Sequence, residues 1–246
     1  MARKYHGPLR PGERSAYVRG TRRNRKKTTK GKIYRPVGQF GPLGKSFIAT
    51  LKFSETITLD PATGTSADYI FSANGIAKPD QTAVPLNLHQ PYGHDQMVNF
   101  YDHYTVVGSK CVVKSVNNIQ LPLYVGVALR DNAQAINKGA SELREEGGTR
   151  LQLMSEKTGG LNNVVISKTF SPRRFFGKAK GNIVGESELR GNMDSTASNV
   201  NNPTEQAYYH CMVIPQTDTD NPGLQTLQVD IYYTCVFTEP KVLKAS

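Results

Sequence analysis

The chain has 246 residues, 37% of them hydrophobic, with a formal net charge of +11, a pI near 9.6 and a mean hydropathy of −0.48. That length supports one substantial core, and the hydrophobic fraction excludes a chain disordered throughout. The cysteines Cys111, Cys211 and Cys235 form no C-x-x-C pair, which excludes a zinc ribbon or a dithiol redox motif. Lacking an apolar leader and any 18-residue apolar run, the chain is expected to be neither secreted nor membrane-spanning, with its thiols reduced.

The positive charge is concentrated at one end. Between Met1 and Arg35 stand 13 Lys plus Arg against one acid, Glu13, a net of +12; this leaves 18 bases and 19 acids, a net of −1, for the rest. The bases are Arg3, Lys4, Arg10, Arg14, Arg19, Arg22, Arg23, Arg25, Lys26, Lys27, Lys30, Lys32 and Arg35. With few aliphatic residues and no helical period, residues 1–42 are expected to be a disordered arm and hinge, joined to a folded domain over 43–246. Arginines chelate phosphate oxygens in pairs, lysines act as point charges, and Tyr5, Tyr17 and Tyr34 can stack on unpaired bases. The arm therefore reads as a nucleic-acid-binding segment, with Arg22, Arg23, Arg25, Lys26 and Lys27 doubling as a nuclear localisation signal.

At the hinge, Gly41-Pro42-Leu43-Gly44-Lys45-Ser46 imitates the end of a P-loop. A true one needs Gly where Gln39 stands and a helix after it, whereas a β pattern follows. From Ser46 the period is two: Phe47, Ala49, Leu51, Phe53, Ile57 and Leu59 alternate with mostly polar residues, with a break at Glu55. Further strands are predicted at 67–73, 104–116, 123–130, 164–170 and 208–214, with a weak one at 174–178. A final strand places Leu227, Val229, Ile231, Tyr233, Cys235 and Phe237 on one face. Two short helices are predicted at 93–101 and 140–146.

The predicted connections alternate between short and long. In an eight-stranded jelly roll, successive connections lie at opposite ends of the sandwich, so this rhythm predicts an all-β single jelly roll with one tapered and one built-up end. Cys111, Cys211 and Cys235 fall on strands and are assigned to the core. His89, His94 and His103 with Asp95 and Asp102 match no ligand spacing, and surface or subunit-contact roles are expected for them. Glu142, Arg144, Glu145 and Glu146 read as a solvated helix face. A second cationic patch, Arg173, Arg174, Lys178 and Lys180, is interleaved with Phe175 and Phe176. It is either a nucleic-acid contact or a pair of core aromatics flanked by solvated bases. No nucleophile–base or paired-carboxylate arrangement is found, so no enzyme, metal or cofactor is expected.

The runs Phe100-Tyr101-Asp102-His103-Tyr104-Thr105-Val106-Val107-Gly108-Ser109-Lys110 and Asn202-Pro203-Thr204-Glu205-Gln206-Ala207-Tyr208-Tyr209-His210 resemble segments of capsid proteins from circovirus-like (CRESS) circular single-stranded DNA viruses. The ending Asp230-Ile231-Tyr232-Tyr233-Thr234-Cys235-Val236-Phe237-Thr238-Glu239-Pro240-Lys241 is similar too. The resemblance implies a coat protein of which about sixty copies form a T=1 shell, with the arm facing inward onto single-stranded DNA. It also implies location in the virion and in the host nucleus during assembly, with a host receptor and import factors as further partners. The arm mixes eight Arg with five Lys, where circoviruses proper carry denser arginine runs. Alternative readings are a coat protein of a small RNA virus, a cellular or ribosomal-type nucleic-acid-binding protein with a basic tail, and a jelly-roll lectin.

Overall fold

The structure, a computed structural model, describes residues 43–82, 89–178, 183–193 and 202–242. The basic arm lies outside the described residues.

Among the described residues nine strands form two antiparallel sheets. In chain order they are β1 (Ser46–Leu59), β2 (Ala67–Ser72), β3 (Tyr101–Val116), β4 (Leu123–Arg130), β5 (Thr149–Met154), β6 (Asn163–Phe170), β7 (Arg190–Asn192), β8 (Tyr208–Pro215) and β9 (Gln225–Pro240). One sheet runs β1-β9-β3-β6, with β7 paired to β3; the other runs β2-β8-β4-β5. Without β7 this is the eight-stranded jelly roll, four strands to a sheet, that the sequence predicts. Helices are short: α1 (His94–Val98), α2 (Ala140–Glu145) and α3 (Pro172–Phe175).

The period-two strands form where alternation matches a half-buried sheet. On β9 the whole predicted inward set, Leu227 to Phe237, is buried. Leu51, Phe53, Ile57 and Leu59 do the same on β1, while Phe47 stays 45% exposed and stacks on Tyr101 at 6.4 Å. Glu55 breaks the pattern because β1 is an edge strand, and the carboxylate pairs with His89 Nδ1 at 3.1 Å. On β3 the register slips between Val106 and Gly108. The extra residue flips the alternation, so Tyr104 and Val106 before the bulge share the core with Ser109, Cys111 and Val113 after it.

Two sequence expectations are corrected. The weak strand expected at 174–178 is instead the helical turn α3. Pro172 opens the turn with its φ fixed and no N–H to satisfy, and the N–H groups of Arg174 and Phe175 donate to Ser171 O. Phe175 and Phe176 both meet Phe170 edge-on, at 5.7 and 6.0 Å, which adjacent residues of a strand pointing to opposite faces do not do. The eighth strand is β5, inside the stretch read as one long connection over 131–163. It is a short edge strand carrying exposed Arg150 and Gln152, so its alternation is shallow.

With β5 placed, the short connections 60–66, 117–122, 155–162 and 216–224 gather at one end. The long ones, 73–100, 131–148 and 171–207, leave and re-enter the sheets at the other. β1 begins at the long-connection end, where Tyr101 donates to Gly44 O at 3.4 Å. The connection 131–148 crosses the outward face of the four-stranded sheet as far as Ser66, whose hydroxyl donates to Ile136 O and accepts from Lys138 N, and returns through α2. Beneath it a second core forms from Ala128, Ile136, Leu143, Met212 and Ile214. Covered on both faces, β8 is buried from Tyr209 to Pro215, whereas β9 alternates.

Candidate nucleic-acid interface

Of the cationic residues singled out in the sequence, the arm bases and Lys180 lie outside the described residues. The remaining three diverge. Arg173 and Arg174 on α3 are exposed and make no ion pair among the described residues. Lys178 is engaged by Glu188 at 3.1 Å and Glu186 at 3.9 Å, and the Glu188 hydrogen bond raises its pKa. Phe175 and Phe176 pack against the main core and wall a cleft of about 550 Å³ shared with Leu129, Arg130 and Thr149. The aromatics thus serve packing, and of the three described bases Arg173 and Arg174 make no ion pair among the described residues.

Sequence reading missed a different cationic surface. The outward face of the five-stranded sheet is buried at Thr105 and Val236 but exposed around Tyr232. Across it Lys52 on β1 and Lys110 on β3 both stand opposite Tyr232 on β9. Tyr232 is 37% exposed, and Lys52 Nζ lies 5.6 Å from its ring centroid. Lys114 lies further along β3. Asp230 sits between these bases, receiving Lys52 Nζ and Lys114 Nζ at 3.0 Å each and Ser54 Oγ at 2.7 Å. Burial pushes the Asp230 carboxyl up, but the hydrogen bonds from Ser54, Lys114 and Lys52 outweigh it and hold it at about 2. The neighbouring outward positions are Thr50, Thr56, Gln228, Thr234, Val112, Val165, Ser167 and Thr169, so Asp230 is the one carboxylate in these rows. The available signal was parity: lysines at even positions of 110–114 on a strand whose odd positions are apolar or small.

The segment Asn202-Pro203-Thr204-Glu205-Gln206 is held by amide side chains. Asn202 Oδ1 accepts from Lys78 N at 3.1 Å and its Nδ2 donates to Lys78 O at 2.9 Å, as a paired strand would. Asn74 reciprocates, donating to Glu205 O at 2.8 Å and accepting from Ala207 N at 3.1 Å. These contacts fix two long connections to each other and give both asparagines a structural duty.

The histidines do not converge. His89 pairs with Glu55, His94 with Asp95 at 3.4 Å, and His103 with Glu239 at 3.3 Å. His94 departs from the surface or subunit-contact role expected of it: it is 4% exposed within the single chain, and burial lowers its pKa. Among the described residues no group of three or more His, Cys, Asp or Glu side chains is placed to hold a metal. All three cysteines are free and buried.

No family model and no curated protein matches the chain. Among solved structures it is similar to the empty head of turnip yellow mosaic virus, at 10% identity over 83% of this chain and 87% of that one, with a TM-score of 0.39. It is also similar to the 60-mer BFDV capsid protein (11%, 82% and 97%, 0.41) and to Mud crab tombus-like virus (12%, 82% and 94%, 0.45). The jelly-roll assignment rests on the strand pairing described above.

Proposed function

We propose that this chain is a viral coat protein that assembles into a small icosahedral shell and packages nucleic acid through residues 1–42. The observation that carries the reading is the segregation of charge: a net of +12 before residue 36 and −1 after it, the latter stretch being the one that forms the jelly roll. Thirteen bases with one acid bind a polyanion by releasing its counterions, with strong salt dependence and little sequence preference. A sandwich with short connections at one end and long ones at the other suits packing of its short-connection end narrowly around a symmetry axis.

The finer reading follows the sequence resemblance: about sixty copies in a T=1 shell, single-stranded DNA as cargo, assembly in the host nucleus after import through Arg22–Lys27, and no catalytic role. Purified full-length protein examined by size exclusion and negative stain is expected to give uniform particles roughly 20 nm across. Nuclease digestion of the co-purified nucleic acid then assigns DNA or RNA. A persistent monomer or dimer at every salt concentration overturns the coat reading in favour of a cellular nucleic-acid-binding protein.

A further inference from the structure

We infer that the exposed stretch around Tyr232 on the five-stranded sheet is a second contact surface for single-stranded nucleic acid, with Tyr232 as the stacking platform and Lys110, Lys52 and Lys114 as its phosphate contacts. The inference rests on the packaging function proposed above and names a part of the folded domain that takes part in it.

Three features of the face point to this occupant. Its lysines flank the exposed ring: Lys52 and Lys110 stand on the strands either side of Tyr232, two strand spacings or about 10 Å apart at the backbone. A base laid on the ring therefore places its phosphates within reach of long cationic side chains on both sides, the combination that single-strand-binding surfaces use. Charge is the second feature. In these rows three lysines face one carboxylate, and that carboxylate is already committed to Lys52, Lys114 and Ser54. Lys110 is exposed and makes no ion pair among the described residues. The third feature is composition. The remaining side chains are mostly hydroxyls and amides, which hydrogen-bond phosphate and sugar oxygens without repelling them. A subunit interface of similar extent buries a larger apolar centre, and the aliphatic side chains next to Tyr232 and its lysines are Val112 and Val165, with Ile48 and Val116 exposed further out on β1 and β3.

The test is ultraviolet cross-linking of full-length protein to a 40-mer oligo(dT), with adducts located by tandem mass spectrometry, alongside fluorescence-anisotropy titrations over a salt series. The variants are Lys110→Ala, Lys110→Glu and Tyr232→Ala. Both side chains replaced are exposed, and an unchanged thermal midpoint certifies each fold. The expected results are an adduct on Tyr232, a salt slope about 0.7 shallower for Lys110→Ala, and about five-fold or greater weakening for Tyr232→Ala. Adducts confined to residues 1–42, with all variants binding as the parent does, overturn this surface and leave the coat reading intact. Variants that block particle formation yet leave no adduct on β9 make the face a subunit contact and also overturn it. Absence of oligonucleotide binding by the parent chain overturns both readings together.

Discussion

His210 Nδ1 lies 2.7 Å from Asp68 Oδ2, with both side chains buried between the four-stranded sheet and the connection that covers it. The other ring nitrogen, Nε2, is 2.9 Å from Asn132 O, a group that only accepts, so Nε2 is the donor in that contact. Asp68 Oδ1 in turn accepts from Ile136 N at 3.2 Å. Two side chains, one each from β2 and β8, thus pin both ends of the 132–136 stretch to the sheet.

Asp68→Ala removes the partner of His210 Nδ1 and of Ile136 N at once. The expected cost is about 3 kcal/mol, because a buried polar group is left without its partner. Urea denaturation measures the loss, and hydrogen exchange is expected to quicken first at the amides of 132–138.

Asp230 predicts an acid limb in the stability profile. Its folded pKa, about 2, lies below the ordinary carboxyl value near 4, so the stabilisation is complete above pH 4 and is lost as pH falls through 2. Since Lys52 and Lys114 are about half exposed, solvent screening discounts the effect to about 1 kcal/mol. Asp230→Asn is expected to lower the thermal midpoint at pH 7 and to reduce the difference between pH 4 and pH 2.

Gly191 on β7 is paired with Tyr104 on β3, and a Cβ there would come within 2.2 Å of the Tyr104 ring. That ring is fully buried and its hydroxyl accepts from Ile76 N at 3.2 Å, so it has nowhere to retreat. Gly191→Ala is expected to destabilise by about 1–3 kcal/mol. Gly147→Ala, whose Cβ would meet nothing within 4 Å, is the control expected to change little. Chemical denaturation of the pair separates overpacking from a general glycine effect.

The thiols offer a reporter of unfolding. Burial pushes Cys111 well above its ordinary range, reinforced by the Cys211 thiol 3.8 Å away across the sandwich, and burial alone raises Cys235. Native protein is expected to resist a thiol-specific disulfide reagent at pH 8, with all three cysteines reacting on unfolding.

Deleting Met1–Lys32 is expected to leave the cooperative thermal transition in place while abolishing nucleic-acid co-purification, read from the 260/280 nm ratio. The parent chain's affinity for single strands is expected to fall with log salt at a slope near −6 if about eight arm bases engage phosphates. Loss of the thermal transition on truncation would place the domain boundary elsewhere.

The sequence by itself determined the class of fold, the inward rows of β9 and most of β1, and the separation of the charge into one terminal segment. Each is a local property: period-two burial is written in adjacent residues, and net charge needs only counting. Tertiary structure decided what depends on the opposite side of a contact. Thr149–Met154 became a strand because β4 offered an edge for it. Pro172–Phe175 became a helical turn because Phe170 drew two consecutive aromatics to one side. Lys52, Lys110 and Tyr232, distant along the chain, became one surface only through the register of three strands, a long-range pairing that no local pattern encodes.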